Sequence, residues 1–144
     1  MKTIMMCGDG SPTGDAALSF AVELARQTGA SLEVLAVKPP FPVHSHGPLE
    51  EIEEIGGASC IAWRLAEQAR AGGVEATPRV AHGVPAEAIA RTARELDADL
   101  VVVGSRGLGS LRSLLRGSVS RDVVRHAKIP VTVVRSRRAE ELPA

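Results

Sequence analysis

The sequence predicts an α/β fold, a five-stranded parallel sheet in the order 3-2-1-4-5 with helices on both faces, similar to a Rossmann fold. Short aliphatic runs alternate with longer segments of helical period, which is typical of repeated βαβ units. The runs are rich in Val, Ile and Leu, as expected for strands that are covered on both faces. The first and fourth runs both end in glycine-rich turns, so we expect them to be central neighbours where the strand order reverses.

Two strands and one helix are predicted at the start of the chain. The run Thr3–Cys7 forms the first strand, and the turn Gly8-Asp9-Gly10-Ser11-Pro12 closes it. Apolar residues then repeat at helical spacing until Gly29, a typical residue after a helix end. The second strand covers Leu32–Val37 and stops at Pro39-Pro40.

The middle of the chain contains a loop, two helices and the third strand. No period is visible from Lys38 to about Pro48, which favours a loop. A helical composition runs from Glu50 to Gly72, and the third strand follows from Val74 to Val80. The next helix starts at Gly83-Val84-Pro85 and ends at Leu96.

The last third of the chain is predicted to complete the sheet. Leu100–Val103 is the fourth strand, Ser118–His126 the last helix and Ile129–Val134 the last strand. One domain accordingly covers residues 1–136, since a chain of 144 residues has room for one core. Residues 137–144 are expected to be a short disordered tail.

The composition argues against several classes of function. Lys plus Arg equals Asp plus Glu at 17 each, so no overall field attracts nucleic acid or an anionic membrane. With one Trp, two Phe and no Tyr, the chain cannot build a base-stacking platform. Cys7 and Cys60 are too few for a disulfide framework, and neither a signal peptide nor a membrane span is visible. We therefore expect a cytoplasmic protein.

The pattern of glycines after the fourth strand is typical of an anion site. The strand stops at Gly104-Ser105-Arg106-Gly107, and after nine further residues Gly117-Ser118 stands at the start of a helix. Such a loop exposes several backbone N–H groups at a helix N-terminus, where anions bind without any catalytic residue.

Ordered motifs across nearly the whole chain resemble the universal stress protein family. They are Asp9-Gly10-Ser11, Gly83-x-Pro85-x-x-x-Ile89, the strand Asp99 to Gly107 with the spacing Gly104-x2-Gly107-x9-Gly117-Ser118, and the closing run Ile129–Val134. The family divides into members that bind ATP and members that do not, and this chain has every element of the glycine pattern of the binding type. The resemblance therefore implies an ATP site.

The resemblance also implies which residues bind the nucleotide. Gly104 and Gly107 let the loop approach the phosphates, Arg106 supplies a cation, and Asp9 and Val37 hold the ribose or adenine, Val37 through its backbone. The full set is Asp9, Val37, Val103, Gly104, Arg106, Gly107, Gly117, Ser118, Val119 and Ser120. AMP or cyclic AMP is an alternative ligand, and Mg²⁺ or Mn²⁺ is expected only through the phosphates.

Less specific interpretations of the same residues stay open. The glycines can be ordinary turn formers, and Asp9 can simply cap the helix that starts near Pro12. Arg112 and Arg116 are better interpreted as solvated charges. His44 and His46 have no neighbouring carboxylate or Cys, so no metal site is predicted.

Two further residues have no assigned role. Gly8 precedes Asp9 where relatives usually have an aliphatic residue, so we expect a larger crevice floor and a looser turn. Trp63 lies about 200° around its helix from Ile61, away from the face of Ile61 and Leu65. It is either a partner contact or simply an exposed side chain.

No pattern in the sequence predicts an efficient enzyme. The Walker, dinucleotide and nucleophile-elbow motifs are absent, and no evident base faces a γ-phosphate. We interpret the chain as a nucleotide-binding stress-response sensor or switch. The alternatives are a dimeric, chaperone-like interaction module with an empty glycine loop, and a slow ATPase.

The last strand, Ile129–Val134, is apolar and closes the sheet, and an exposed aliphatic edge favours pairing with another chain. The family resemblance implies a homodimer through this strand. A further protein partner is expected but unknown, and neither nucleic acid nor a membrane is expected as a partner.

Overall fold

A computed structural model describes residues 1–9, 12–38, 48–104 and 118–135 of the chain. It has a five-stranded parallel sheet in the order β3-β2-β1-β4-β5, which confirms the predicted topology. The elements in chain order are β1 (Thr3–Cys7), α1 (Pro12–Thr28), β2 (Ser31–Lys38), α2 (Pro48–Ala71), β3 (Ala76–His82), α3 (Pro85–Glu95), β4 (Leu100–Gly104), α4 (Ser118–His126) and β5 (Val131–Val134).

Both faces of the sheet are covered, and each face has its own apolar core. Successive residues of β1 alternate between them, with Ile4 and Met6 in one cluster and Met5 and Cys7 in the other. The first cluster is packed under α1 and α2, and the second under α3 and α4. This is why β1 and β4 have no alternation of polar and apolar residues in their sequence.

The register of the central strands aligns their carboxyl ends. Cys7 of β1 pairs with Leu35 of β2 on one side and with Val103 of β4 on the other. The residues that follow these positions therefore emerge at the same edge of the sheet, which is called the carboxyl edge below.

Two strands begin later than the sequence pattern predicts. Val74 packs against the first core, but its N–H points back to the Ala69 carbonyl in the turn that ends α2. Ladder pairing of β3 begins only with Ala76. In β5, Pro130 has no N–H to donate, although its carbonyl accepts a hydrogen bond from Val101 at 2.9 Å, and the strand begins at Val131. Burial alone does not define a strand.

Several predicted features lie outside the described residues. They are the loop at 39–47 with His44 and His46, the glycine segment 105–117 with Arg112 and Arg116, and the tail 137–144.

Candidate functional site

The candidate site lies at the carboxyl edge, between the ends of β2, β1 and β4. β1 and β4 are neighbours, but the chain leaves β1 for α1 on one face and leaves β4 towards α4 on the other. In an open parallel sheet this divergence leaves a crevice at the strand ends. The backbone N–H of Gly8 donates to the Leu35 carbonyl at 3.0 Å, so β1 stays paired with β2 up to the crevice.

Four of the residues named from the sequence meet at this edge. Asp9 follows the end of β1 by two residues and is half-buried. Val37 near the end of β2 is half-buried and packs against the second core. Val103 is buried, and Gly104, the last residue of β4, pairs with Val134. The edge therefore has a carboxylate between an apolar position and a glycine.

The helix α4 connects the parallel strands β4 and β5, so it runs back along the sheet and its first turn faces the carboxyl edge. It begins at Ser118, so Ser118, Val119 and Ser120 lie in that turn. The first N–H groups of a helix have no acceptor within the helix, and its dipole places roughly half a positive charge there. The turn is suited to an anion. Arg106, Gly107 and Gly117, the other predicted ligands, lie outside the described residues.

Gly8 does not open the floor of the crevice, contrary to the sequence interpretation. A Cβ at this position would lie 2.6 Å from Leu65 Cδ1 and 3.0 Å from Met6 Cε. The side chain of Leu65 in α2 is fully buried, so it fills the space that residue 8 leaves. Sequence reasoning missed this contact because Leu65 is distant in the chain and its position depends on how α2 packs.

Cys7 lies directly below the crevice and was not expected to be part of it. It is a free cysteine that is 4% exposed, and burial raises the pKa of its thiol far above the ordinary value. A buried neutral thiol is a poor nucleophile. Cys7 therefore serves as an apolar floor residue rather than a reactive group.

The turn between β3 and α3 forms a rim next to β2. The N–H of Gly83 donates to the Lys38 carbonyl at 3.0 Å, and Arg91 Nη2 donates to the His82 carbonyl at 3.0 Å. Gly83 has φ +131°, a backbone conformation that residues with a side chain rarely adopt. The motif Gly83-x-Pro85 was the sequence signal for this turn, and the structure adds Lys38 as its hydrogen-bond partner.

Other potential sites among the described residues are sparse. No group of three or more His, Cys, Asp and Glu side chains comes together in the described ranges. No described helix is long and apolar enough to cross a membrane.

Trp63 is 59% exposed, whereas Leu65 on the same helix is fully buried. The predicted orientation of Trp63 away from the core is therefore confirmed.

Comparisons with known proteins agree on one family. The family model of the universal stress protein family matches residues 1–135. A universal stress protein of Thermus aquaticus is 38% identical over 142 residues, which cover 93% of this chain and 98% of the relative. A crystal structure of a universal stress protein in complex with cAMP is 29% identical with a TM-score of 0.72, covering 92% of this chain and 96% of that one. A universal stress protein from Archaeoglobus fulgidus in complex with dAMP is 26% identical with a TM-score of 0.68, covering 93% and 97%.

Proposed function

The chain belongs to the universal stress protein family, and on that premise we propose that its carboxyl edge binds an adenine nucleotide, with ATP as the first candidate. The observation that carries this proposal is the meeting of Asp9, Val37 and Gly104 with the first turn of α4 at the divergence of β1 and β4. The relatives solved with cAMP and dAMP support an adenine nucleotide at such a site.

The two ends of the crevice suit different parts of a nucleotide. The first turn of α4 and Gly104 offer backbone N–H groups and close approach, which phosphates require. In this proposal Arg106, Gly107 and Gly117 complete the phosphate end. Asp9 and the backbone of Val37 lie on the nucleoside side, where a carboxylate can accept hydrogen bonds from ribose hydroxyls.

Divalent ions enter this proposal only with the nucleotide. Mg²⁺ or Mn²⁺ would be held by phosphate oxygens and water, because Mg²⁺ keeps much of its hydration shell at phosphate sites.

We infer that occupancy of the site, rather than turnover, is the output of the protein. A bound nucleotide stabilises whichever loop arrangement it contacts, and a switch needs only this differential affinity. The protein would then act as a stress-response sensor in the cytoplasm, where its free Cys7 and Cys60 stay reduced.

Isothermal titration calorimetry with ATP, AMP and cyclic AMP tests the proposal. We expect saturable binding to the wild-type chain and loss of binding in Gly117→Val, because the added side chain blocks close approach of a phosphate. Gly109→Val is the matched control, since Gly109 lies in the same segment but outside the glycine pattern. Absence of heat with all three nucleotides would leave the dimeric interaction module as the better interpretation.

We also propose a homodimer that pairs the exposed edge of β5. β5 is an edge strand, and its Val133 is 39% exposed. Phe20 of α1 is 41% exposed and lies about 200° around the helix from Val22, which faces Gly72, the residue that follows α2. Phe20 therefore flanks the β5 side. Val124, 51% exposed, lies on α4, which contacts β5 from the other face. A second copy would cover these apolar side chains.

The opposite edge of the sheet is unsuited to pairing. β3 contains Pro78, which has no N–H to donate, and Arg79 Nε binds Glu33 Oε2 at 2.7 Å beside it. Proline and charge are the usual protection of an edge strand.

Light scattering during size-exclusion chromatography tests the dimer through β5 and should give the mass of a dimer. A monomer at micromolar concentration would contradict the pairing.

A further inference from the structure

The outer surface of α4 carries positive charge. Val123 is fully buried, and Arg121 and Arg125 lie about 200° from it on either side, so both point away from the core. Both are exposed, as is Lys128 two residues after the helix ends. Arg121, Arg125 and Lys128 are called the cationic face.

The positive charge of this face exceeds the acidic charge beside it. Asp122, the one acidic residue of α4, is half-buried and forms no ion pair within the described part of the chain. Each of the other helices has an ion pair of its own, namely Arg26 with Glu23 in α1, Arg70 with Glu67 in α2 and Arg91 with Glu95 in α3. Within the described part of the chain, no ion pair reaches Arg121, Arg125 or Lys128. Since the whole chain has no formal net charge, the cationic face is a local excess.

The stability of α4 accounts for only part of this arrangement. Cations near a helix C-terminus interact favourably with the helix dipole, which explains Arg125 and Lys128. Arg121 closes the first turn, where the dipole favours acidic side chains, and α4 has no acidic residue in that turn. A binding role gives one physical reason for placing Arg121 on the same surface as Arg125.

We propose that the cationic face binds an acidic segment of a partner protein. Arg121 and Arg125 are one turn apart, about 6 Å along the helix axis, which matches two carboxylates at positions i and i+4 of a partner helix. A duplex or a lipid surface is a weaker match. Such ligands require a larger basic field, and a membrane-binding cluster typically has about four to eight basic residues.

Fluorescence anisotropy tests this proposal without any nucleotide, so that its outcome is separate from that of the ATP titration. The probe is a fluorescein-labelled peptide of Glu-Ala-Ala-Ala repeats. We expect saturable binding to the full chain that weakens as NaCl is raised. Each exposed ion pair contributes little alone, so all three cations are replaced together. The triple variant R121Q/R125Q/K128Q should bind the peptide roughly tenfold more weakly than the wild type. Circular dichroism of the variant verifies that it is folded.

The matched control removes the same charge elsewhere. K2Q/R26Q/R64Q changes exposed cations on three other parts of the molecule and should bind the probe as the wild type does. Equal weakening by both triple variants would overturn the proposal, as would equal binding of a peptide with Gln in place of Glu. Tighter binding of phosphatidylserine vesicles or duplex DNA by the cationic face would overturn the choice of partner.

Discussion

Asp99 anchors the start of the chain to the start of β4. Its Oδ2 accepts hydrogen bonds from the backbone N–H groups of Lys2 at 2.7 Å and Thr3 at 3.0 Å. Its own N–H donates to the Thr3 carbonyl at 2.8 Å. The N–H groups of Lys2 and Thr3 hold the pKa of Asp99 below the ordinary value of 3.8, and the nearby N-terminal amine and the Lys2 side chain lower it further. The charged carboxylate therefore favours the folded state.

The lowered pKa of Asp99 predicts a specific acid dependence of stability. Because the folded-state pKa lies below the unfolded value, the stabilisation is present above about pH 4 and is lost as the pH falls through the folded-state pKa. Asp99→Asn has no carboxylate to protonate, so it should be less stable than the wild type near neutral pH. The difference between the two unfolding free energies should shrink in acid. Urea denaturation at several pH values measures it. Asp97→Asn, exposed and two residues earlier, is the control and should keep the wild-type dependence.

Gly8 and Leu65 form a pair whose substitutions should not be additive. Gly8→Ala should destabilise the wild type by about 1–3 kcal/mol, because the new Cβ would overlap Leu65 Cδ1. Leu65→Ala should cost about 2–5 kcal/mol through its cavity. In the double variant the Cβ of residue 8 fills part of that cavity, and we expect a loss smaller than the sum by about 0.5–3 kcal/mol. Equilibrium denaturation of all four proteins gives this coupling, and simple additivity would contradict the packing described.

At the scale of the elements, two glycines should respond in opposite directions to alanine. Gly57 lies inside α2, and among the described residues no heavy atom lies within 4 Å of a Cβ built there, so Gly57→Ala should stabilise the fold by about 0.5–1 kcal/mol. Gly83 lies between β3 and α3 with φ +131°, so Gly83→Ala should lower the free energy of unfolding by about 1–3 kcal/mol. Urea midpoints report both. A neutral Gly83→Ala would show that this turn relaxes freely.

Sequence periodicity predicted the elements better than it predicted their ends. The runs at β1 and β4 were identified correctly because their buried residues are consecutive apolar side chains, as burial on both faces requires. At β3 the pattern began two residues early, since Val74 is partly buried by α2 without joining the ladder. Apolar residues indicate burial, whereas strand bounds depend on hydrogen bonds that only the register reveals.

At the scale of the whole molecule, the order of the sheet was predictable, but the packing between distant segments was not. Glycine turns after β1 and β4 indicated the point of divergence, and the structure brings Asp9, Val37 and Gly104 together there. The contact of Leu65 with Gly8 and the bond from Gly83 to Lys38 join segments far apart in the chain. No local pattern encodes such contacts.

The proposed dimer predicts that thermal stability depends on protein concentration. If two copies pair through β5, the unfolding free energy should rise by roughly 1.4 kcal/mol of dimer for each tenfold increase in concentration, and the thermal midpoint should rise with it. Val133→Lys places a charge on that edge and should abolish the dependence. Thr77→Lys, on the exposed edge strand β3, is the matched control and should keep it. A midpoint independent of concentration in the wild type would argue against the dimer.

The exposure of Trp63 makes this protein difficult to follow by its own fluorescence. Trp63 is the only tryptophan, no tyrosine is present, and Trp63 is already more than half exposed in the native state. Unfolding therefore changes its surroundings little, and the emission spectrum should shift only slightly while the core is lost. The same indole would report sensitively on any molecule that covers α2. For this chain, intrinsic fluorescence is a detector of surface encounters, and folding is better monitored by circular dichroism.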